Sequence, residues 1–304
     1  MQADEGLPHP QDRVTRPSYH RWNCVTTWSR NITLCFFAAA LFTFLVRPKD
    51  ERPKPSILQN HVQSTEFSVL TFNMRCQNKD GADVWAFSEV NDPRVNSIVK
   101  RQADVISLQG YPNNATHLFE KSFSRYQVLY DSSNGTLMMF KKKRFDLIQH
   151  SGSSNLTSSG NLTWLHLSDR QTMRPILFFH AKEAATADLN STLTQIRKIG
   201  SSRLNAPYIM MGEFLVENNS TLMLERGVVD TLDESMQMAE PVGPWDTFVY
   251  NGTRSRRDYV YRKRDHQIYV REHITGVDPT LSEDITSWHH FVEVIFDWAV
   301  YEKK

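Results

Sequence analysis

Cysteine is nearly absent, with three in 304 residues: Cys24, Cys35 and Cys76. Only Cys76 lies beyond the N-terminal apolar stretch, which excludes a disulfide framework. An excess of either charge is also missing. The 35 Lys and Arg face 34 Asp and Glu for a formal net charge of +1, which argues against a dedicated nucleic-acid binder. No repeat of solenoid period is visible, and no apolar run reaches the roughly 20 residues of an ordinary transmembrane helix. What is present is a 40% hydrophobic share. That supports a substantial core and excludes wholesale disorder, at a length that suits one large domain or two ordinary ones.

Residues 1–30 are polar, with Pro8, Pro10, Pro17 and four arginines, and read as a disordered tail. Within 31–47, Ile32–Val46 is a run of fifteen uncharged residues between Arg30 and Arg47. At about 1.5 Å per residue it spans roughly 22 Å, against a bilayer core of about 30 Å. Flanking arginines can snorkel and Trp28 can sit at the interface, so a signal anchor in a thin early-secretory membrane is expected. A cleaved signal peptide and a buried core helix are the competing readings. Residues 48–64 are charged and Pro-rich, a stalk, and 65–304 read as one α/β domain.

Asn-x-Ser/Thr acceptors occur at Asn31, Asn114, Asn134, Asn155, Asn161, Asn190, Asn218, Asn219 and Asn251. Roughly two or three are expected by chance. Eight of the nine follow residue 46. They place the C-terminal body in the lumen or outside the cell, as a single-pass type II protein of the secretory pathway or cell surface carrying N-glycans.

In the body, Tyr208-Ile-Met-Met-Gly212-Glu213 is an apolar run that ends at a glycine and an acid, the pattern of a strand buried on both faces. Phe67–Arg75 alternates and ends near Asn73, and Val105–Gln109 is a buried strand stopping at Gly110. Helices are expected at Asp92–Gln102, Ala115–Phe123 and Asp188–Arg203. Further strands are expected at Tyr126–Tyr130, Thr136–Phe140, Phe145–His150, Leu162–Leu167, Ile176–His180, Val228–Leu232, Thr247–Tyr250, Asp258–Arg262, Ile268–Glu272 and His290–Trp298. The basic clusters Lys141–Arg144, Arg254–Arg257 and Arg262–Arg264 are expected on a solvated hairpin or loops, with contact to phosphates or a polyanionic glycan as the competing reading.

The strand-end residues carry a resemblance. Thr71-Phe-Asn73-Met-Arg75, Asp80-Gly81, Ile106-Ser-Leu-Gln-Gly110, Phe178-Phe-His180, Met211-Gly-Glu-Phe-Leu215, Arg257-Asp-Tyr-Val-Tyr261 and Ser287-Trp-His-His290 follow in an order that resembles the endonuclease/exonuclease/phosphatase superfamily. The resemblance implies a deoxyribonuclease-like fold, two packed mixed β-sheets flanked by helices. It also implies site roles for Asn73, His180, Asp258 and His289.

The departures weigh more. Where the family has a metal-binding Glu this chain has Gly110, and where it has Asp-Phe-Asn this chain has Glu213-Phe214-Leu215. Trp288 stands where the family has an acid. Phosphoester hydrolysis needs a divalent ion against the developing phosphate charge, and Mg²⁺ takes carboxylates and water. Gly110 and Trp288 supply no carboxylate, and Glu213 sets its own about 1 Å from where Asp would, a misplacement that can cost about 10²-fold. The expectation is a pseudoenzyme with no cofactor, binding a protein, glycan or phosphorylated ligand. The alternative is a phosphodiesterase or phosphatase using Mg or Mn held by Glu213 with acids such as Asp80 or Asp83.

Overall fold

The computed structural model describes residues 65–75, 77–78, 80, 93–110, 116–131, 135–150, 154–155, 161–203, 206–215, 220–238, 241–276 and 285–299. The expected tail, anchor and stalk at 1–30, 31–47 and 48–64 lie outside them, as do Cys76, Asp83, Asn31, Asn114, Asn134, Asn218 and Asn219. Among the described residues no helix is long and apolar enough to cross a membrane.

The chain enters through β1 (Glu66–Asn73) and β2 (Gln77–Asn78), and α1 (Pro93–Arg101) leads into β3 (Val105–Gln109). After α2 (Thr116–Ser122) come β4 (Tyr126–Asp131), β5 (Thr136–Lys141), β6 (Phe145–His150) and β7 (Ser154–Asn155). The antiparallel pair β8 (Asn161–Asp169) and β9 (Arg174–Ala185) precedes α3 (Thr186–Ser201) and β10 (Tyr208–Leu215). Then follow α4 (Ser220–Glu225), β11 (Val228–Asp230) and α5 (Thr231–Met238). The last strands are β12 (Phe248–Tyr250), β13 (Thr253–Ser255), β14 (Asp258–Lys263), β15 (Ile268–Gly276), β16 (Ile285–His289) and β17 (Phe291–Trp298).

Six strands form one sheet in the order β15-β17-β1-β3-β5-β4, and a second runs β11-β14-β10-β9-β8-β6 with β7 beside β8. Both are mixed: β1 lies parallel to β3 and antiparallel to β17, and β10 lies parallel to β9 and antiparallel to β14. A small sheet, β13-β12-β16-β2, completes the fold.

Period-two alternation divides the core into three layers. Phe67, Val69, Val105, Phe178, Ile209, Met211 and Val260 fill the space between the large sheets. Leu70, Phe72, Ile106 and Leu108 turn to the other face and pack with Val95, Ile98, Phe119 and Phe123 of the α1–α2 region. Across the molecule, Leu177, Phe179, Met210 and Phe214 pack with Leu189, Leu193 and Ile196 of α3. Gly212 is required at φ 130, because a Cβ there would sit 1.9 Å from the Ala181 carbonyl oxygen where the β9–β10 register shifts.

Several expectations need correction. The strand expected over Val228–Leu232 stops at Asp230, because Asp230 Oδ1 accepts Leu232 N–H at 2.9 Å and starts α5, with Asp233 and Glu234 in its first turn. Neither α4 nor α5 was expected. β9 runs five residues past His180, and β15 runs on to Gly276. The basic clusters are not all solvated. Arg144 is buried on Asp169, Arg256 makes two bonds to Asp230, and Arg262 makes two bonds to Glu234. Such forked pairs satisfy a buried guanidinium as a loop in water would not.

Candidate functional site

The same alternation that lays down the inter-sheet core ends it in polar groups. Along β1 the inward residues run Phe67, Val69, Thr71, Asn73; along β3 they run Val105, Ser107, Gln109. Facing them, β9 carries His180 after Phe178, β10 carries Glu213 after Met211, and β14 begins with Asp258 before Val260. All are buried, each less than a tenth exposed. The small sheet delivers His289, because β16 pairs with β12 in the register Phe248↔His289.

These groups close into one hydrogen-bonded set. Asn73 Oδ1 accepts Arg75 N–H at 3.1 Å, which fixes the amide so that Nδ2 points to Glu213 Oε2 at 3.0 Å and His289 Nε2 at 3.2 Å. His289 Nδ1 lies 2.6 Å from Asp258 Oδ2, and Gln109 Nε2 donates to Asp258 Oδ1 at 3.1 Å. Thr247 Oγ1 accepts the backbone N–H groups of Arg257 and Asp258 at 2.9 and 2.7 Å. Arg257 Nη1 stands 3.8 Å from Glu213 Oε1, with its guanidinium 3.8 Å over the Phe248 ring. His289 also lies against Phe248, 4.7 Å between ring centroids.

Of the expected site residues, Asn73, Glu213, Asp258 and His289 therefore meet directly. His180 is fully buried with Nδ1 against Ser107 Oγ. Trp288 stands apart. It pairs with Val249 on the strand position next to His289, so its side chain leaves from the opposite face of the small sheet. Its half-buried indole has no hydrogen-bond partner for Nε1 among the described residues. His289 and His290 part in the same way, His290 Nε2 lying 3.8 Å from Asp246 Oδ2.

Burial disfavours the charged form of His289, but Asp258, its hydrogen bond and Glu213 outweigh that and raise the proton affinity above the ordinary value. With Nδ1–H on Asp258, the neutral ring turns its Nε2 lone pair to the Asn73 amide. Taking a proton at Nε2 requires that amide to move. The dyad has the form of a carboxylate-oriented base, with its basic nitrogen covered.

Among the described residues, those around Glu213 do not gather as a divalent-ion site. Gly110 has φ 68, and a Cβ there would lie 2.7 Å from Asn73 Oδ1 and 3.1 Å from Arg75 Cβ. Position 110 thus lacks a carboxylate and the room for one. Asn73 Oδ1 is turned to Arg75 N–H, and Glu213 presents one oxygen to Asn73 and the other toward Arg257. Among the described residues no group of three or more His, Cys, Asp or Glu gathers as a metal site. Asp80 is exposed, whereas Glu213 is buried.

Ser107, Gln109, Thr247, Phe248 and Arg257 were not singled out as functional from the sequence. A signal existed for two of them. Ser107 and Gln109 are the polar residues at alternate positions in an otherwise apolar strand, on the face that carries Asn73 across the β1–β3 pair.

No family model matches the chain, and no curated protein matches its sequence. Solved structures do match. An endonuclease/exonuclease/phosphatase family protein from Bacteroides thetaiotaomicron superposes with a TM-score of 0.60 at 15% identity, over 79% of this chain and 100% of that one. The catalytic domain of human Nocturnin with a bound sulfate anion gives 0.58 at 17% identity, over 77% of this chain and 94% of that one. A mannosyl-6-phosphatase, also from Bacteroides thetaiotaomicron, gives 0.58 at 13%, over 77% and 100%. With the two mixed sheets and their flanking helices, these likenesses show that this chain has the fold of the endonuclease/exonuclease/phosphatase structures.

Proposed function

We propose that the chain is a membrane-anchored, glycosylated protein in which this fold serves as a non-catalytic binding domain in the lumen or outside the cell. The observation that carries the reading is Gly110. Its left-handed backbone and the 2.7 Å approach of Asn73 Oδ1 leave no place for the metal-binding carboxylate that the resemblance assigns there. Without that ion the largest electrostatic contribution to phosphoryl transfer is lost. Anchoring through 31–47 rests on the uncharged run, and the type II orientation rests on the acceptor cluster. Of those acceptors, Asn190 and Asn251 are exposed in the fold. Relatives in fold include a mannosyl-6-phosphatase and a domain holding sulfate, so a phosphorylated sugar or another phosphate ester is the ligand class to try first. A glycan or a protein comes next, and nucleic acid is not expected.

One observation favours the second reading, a phosphodiesterase or phosphatase using Mg or Mn: the His289–Asp258 dyad is intact at 2.6 Å. The full-length chain, purified in detergent, separates the two. Ligand at 100 times its dissociation constant stabilises by about 2.7 kcal/mol, an easily seen thermal shift. The first reading expects no such shift with Mg²⁺ or Mn²⁺ and no turnover of model phosphodiesters or phosphomonoesters. Metal-dependent turnover that His289→Ala abolishes would establish the second. Unchanged gel mobility after amidase treatment of protein from a glycosylating host would remove the lumenal assignment.

A further inference from the structure

We infer that Arg257 is the resident cation of this site: against Glu213 it supplies the positive charge that the resemblance assigns to a divalent ion, and it closes the site to Mg²⁺ and Mn²⁺. This rests on reading the cleft as non-catalytic and names the residue that makes it so.

Glu213 is a buried carboxylate, 4% exposed, reached by the inward face of β10. A carboxylate so far out of water needs a counter-charge. One of its oxygens faces such a charge and the other a neutral donor. Oε2 accepts the Asn73 amide at 3.0 Å, and Oε1 faces Arg257 Nη1 at 3.8 Å. A hard cation would therefore have to compete with a partner already present at each oxygen.

Its position is also fixed. Arg257 N–H donates to Thr247 Oγ1 at 2.9 Å, its carbonyl accepts Phe214 N–H at 2.8 Å, and its side chain lies 3.8 Å over the Phe248 ring. These contacts hold it between β10 and β12. A dication against Glu213 would sit within a few ångströms of that positive charge, and like charges repel. Arg257 is thus a specificity-determining residue: it decides that the carboxylate is neutralised by the protein rather than by a metal.

The test is a Mn²⁺ titration of the full-length chain, read by calorimetry and by the paramagnetic resonance of free Mn²⁺. Wild type and Arg257→Lys are expected to show no saturable binding at millimolar metal. Arg257→Leu, or Arg257→Gln, is expected to gain one site at least tenfold tighter than any wild-type binding. Adding Glu213→Gln to either neutral variant should remove that site. If both neutral variants fail to fold while Arg257→Lys folds, addition of Glu213→Gln should restore folding, because the unmatched carboxylate is then gone. Failure of that rescue overturns the inference.

Two further results overturn it. One is a folded Arg257→Leu chain that stays silent to Mn²⁺, which sinks this inference while leaving the non-catalytic reading intact. The other is wild-type Mn²⁺ binding that Glu213→Gln abolishes, which shows metal and guanidinium coexisting. If hydrolysis accompanies that binding, the non-catalytic reading falls as well.

Discussion

Asn73 Nδ2 lies 3.2 Å from Nε2 of His289, so the nitrogen that a general base would use is already covered by a donor. On its other side His289 is held by Asp258, with Glu213 also near enough to favour its charge. Covered base, matched carboxylate and occupied amide belong to one buried set. These four groups hold one another in register.

The raised proton affinity of His289 has a defined consequence for stability. A histidine whose folded value lies above its ordinary 6.5 contributes stability that is fully present below that value. The contribution is lost as pH climbs through the raised folded value. Denaturant unfolding from pH 6 upward should therefore show this contribution being lost as pH rises above 6.5. His289→Gln should flatten that limb, and an unchanged slope in this variant would show that His289 is not its source.

His273 works in the opposite direction. Burial, and then Arg256, push its value from 6.5 down to about 3. Thr231 Oγ1 donates to the Val260 carbonyl at 2.7 Å, so it accepts from His273 Nδ1 at 3.1 Å, and Nε2 has no partner among the described residues. The folded protein holds this ring neutral, while the unfolded chain takes a proton below about 6.5. Stability should fall as pH drops from 6.5 toward 3, by on the order of 1 kcal/mol per pH unit. His273→Gln, which keeps a donor for Thr231, should make the acid limb shallower in the same unfolding series.

What could be read in advance follows from period. The buried strands β1, β3 and β10 announce themselves as apolar runs closed by polar residues, and their inward positions Asn73, Gln109 and Glu213 follow from alternation alone. His289 and Asp258 were reached by motif order, and they meet at 2.6 Å. The small sheet was not read, although Asn251-Gly252, with φ 45 and 77, is the turn pair of a tight hairpin. Arg257 was grouped with solvated charges because composition cannot tell an arginine over Phe248 from one in water. Trp288 stands where the resemblance has an acid beside His289, but the strand register turns it to the other face. Register and pairing across 31 to 216 residues of sequence separate such cases.

Asp258 should be the costliest polar residue of the set. It is fully buried and takes bonds from both His289 and Gln109. Asp258→Ala leaves two buried donors without an acceptor and is expected to destabilise by about 3–5 kcal/mol. Asp258→Asn keeps the shape, but its amide can accept only one of those bonds, so a smaller loss is expected. Equilibrium unfolding with an unchanged denaturant slope measures both. Equal losses for the two variants would mean that packing, rather than hydrogen bonding, sets the cost.

Gly110 tests whether the lost ligand can be put back. Its φ of 68 is a conformation that a side chain adopts at a cost of about 1–2 kcal/mol. A Cβ would also meet Asn73 Oδ1 at 2.7 Å, and Asn73 cannot retreat without releasing Arg75 N–H, Glu213 or His289. Gly110→Ala is therefore expected to destabilise by more than the conformational cost alone, roughly 2–3 kcal/mol. Gly110→Glu should be no better, because the same Cβ precedes its carboxylate. Chemical denaturation compares the two with wild type, and the amide resonances of Asn73 report whether its side chain has turned. A loss under 1 kcal/mol in Gly110→Ala, with those resonances unmoved, would mean that the backbone at 110 has room. Metal-site loss would then rest on side-chain identity, and Gly110→Glu alone would become a reasonable route to restoring it.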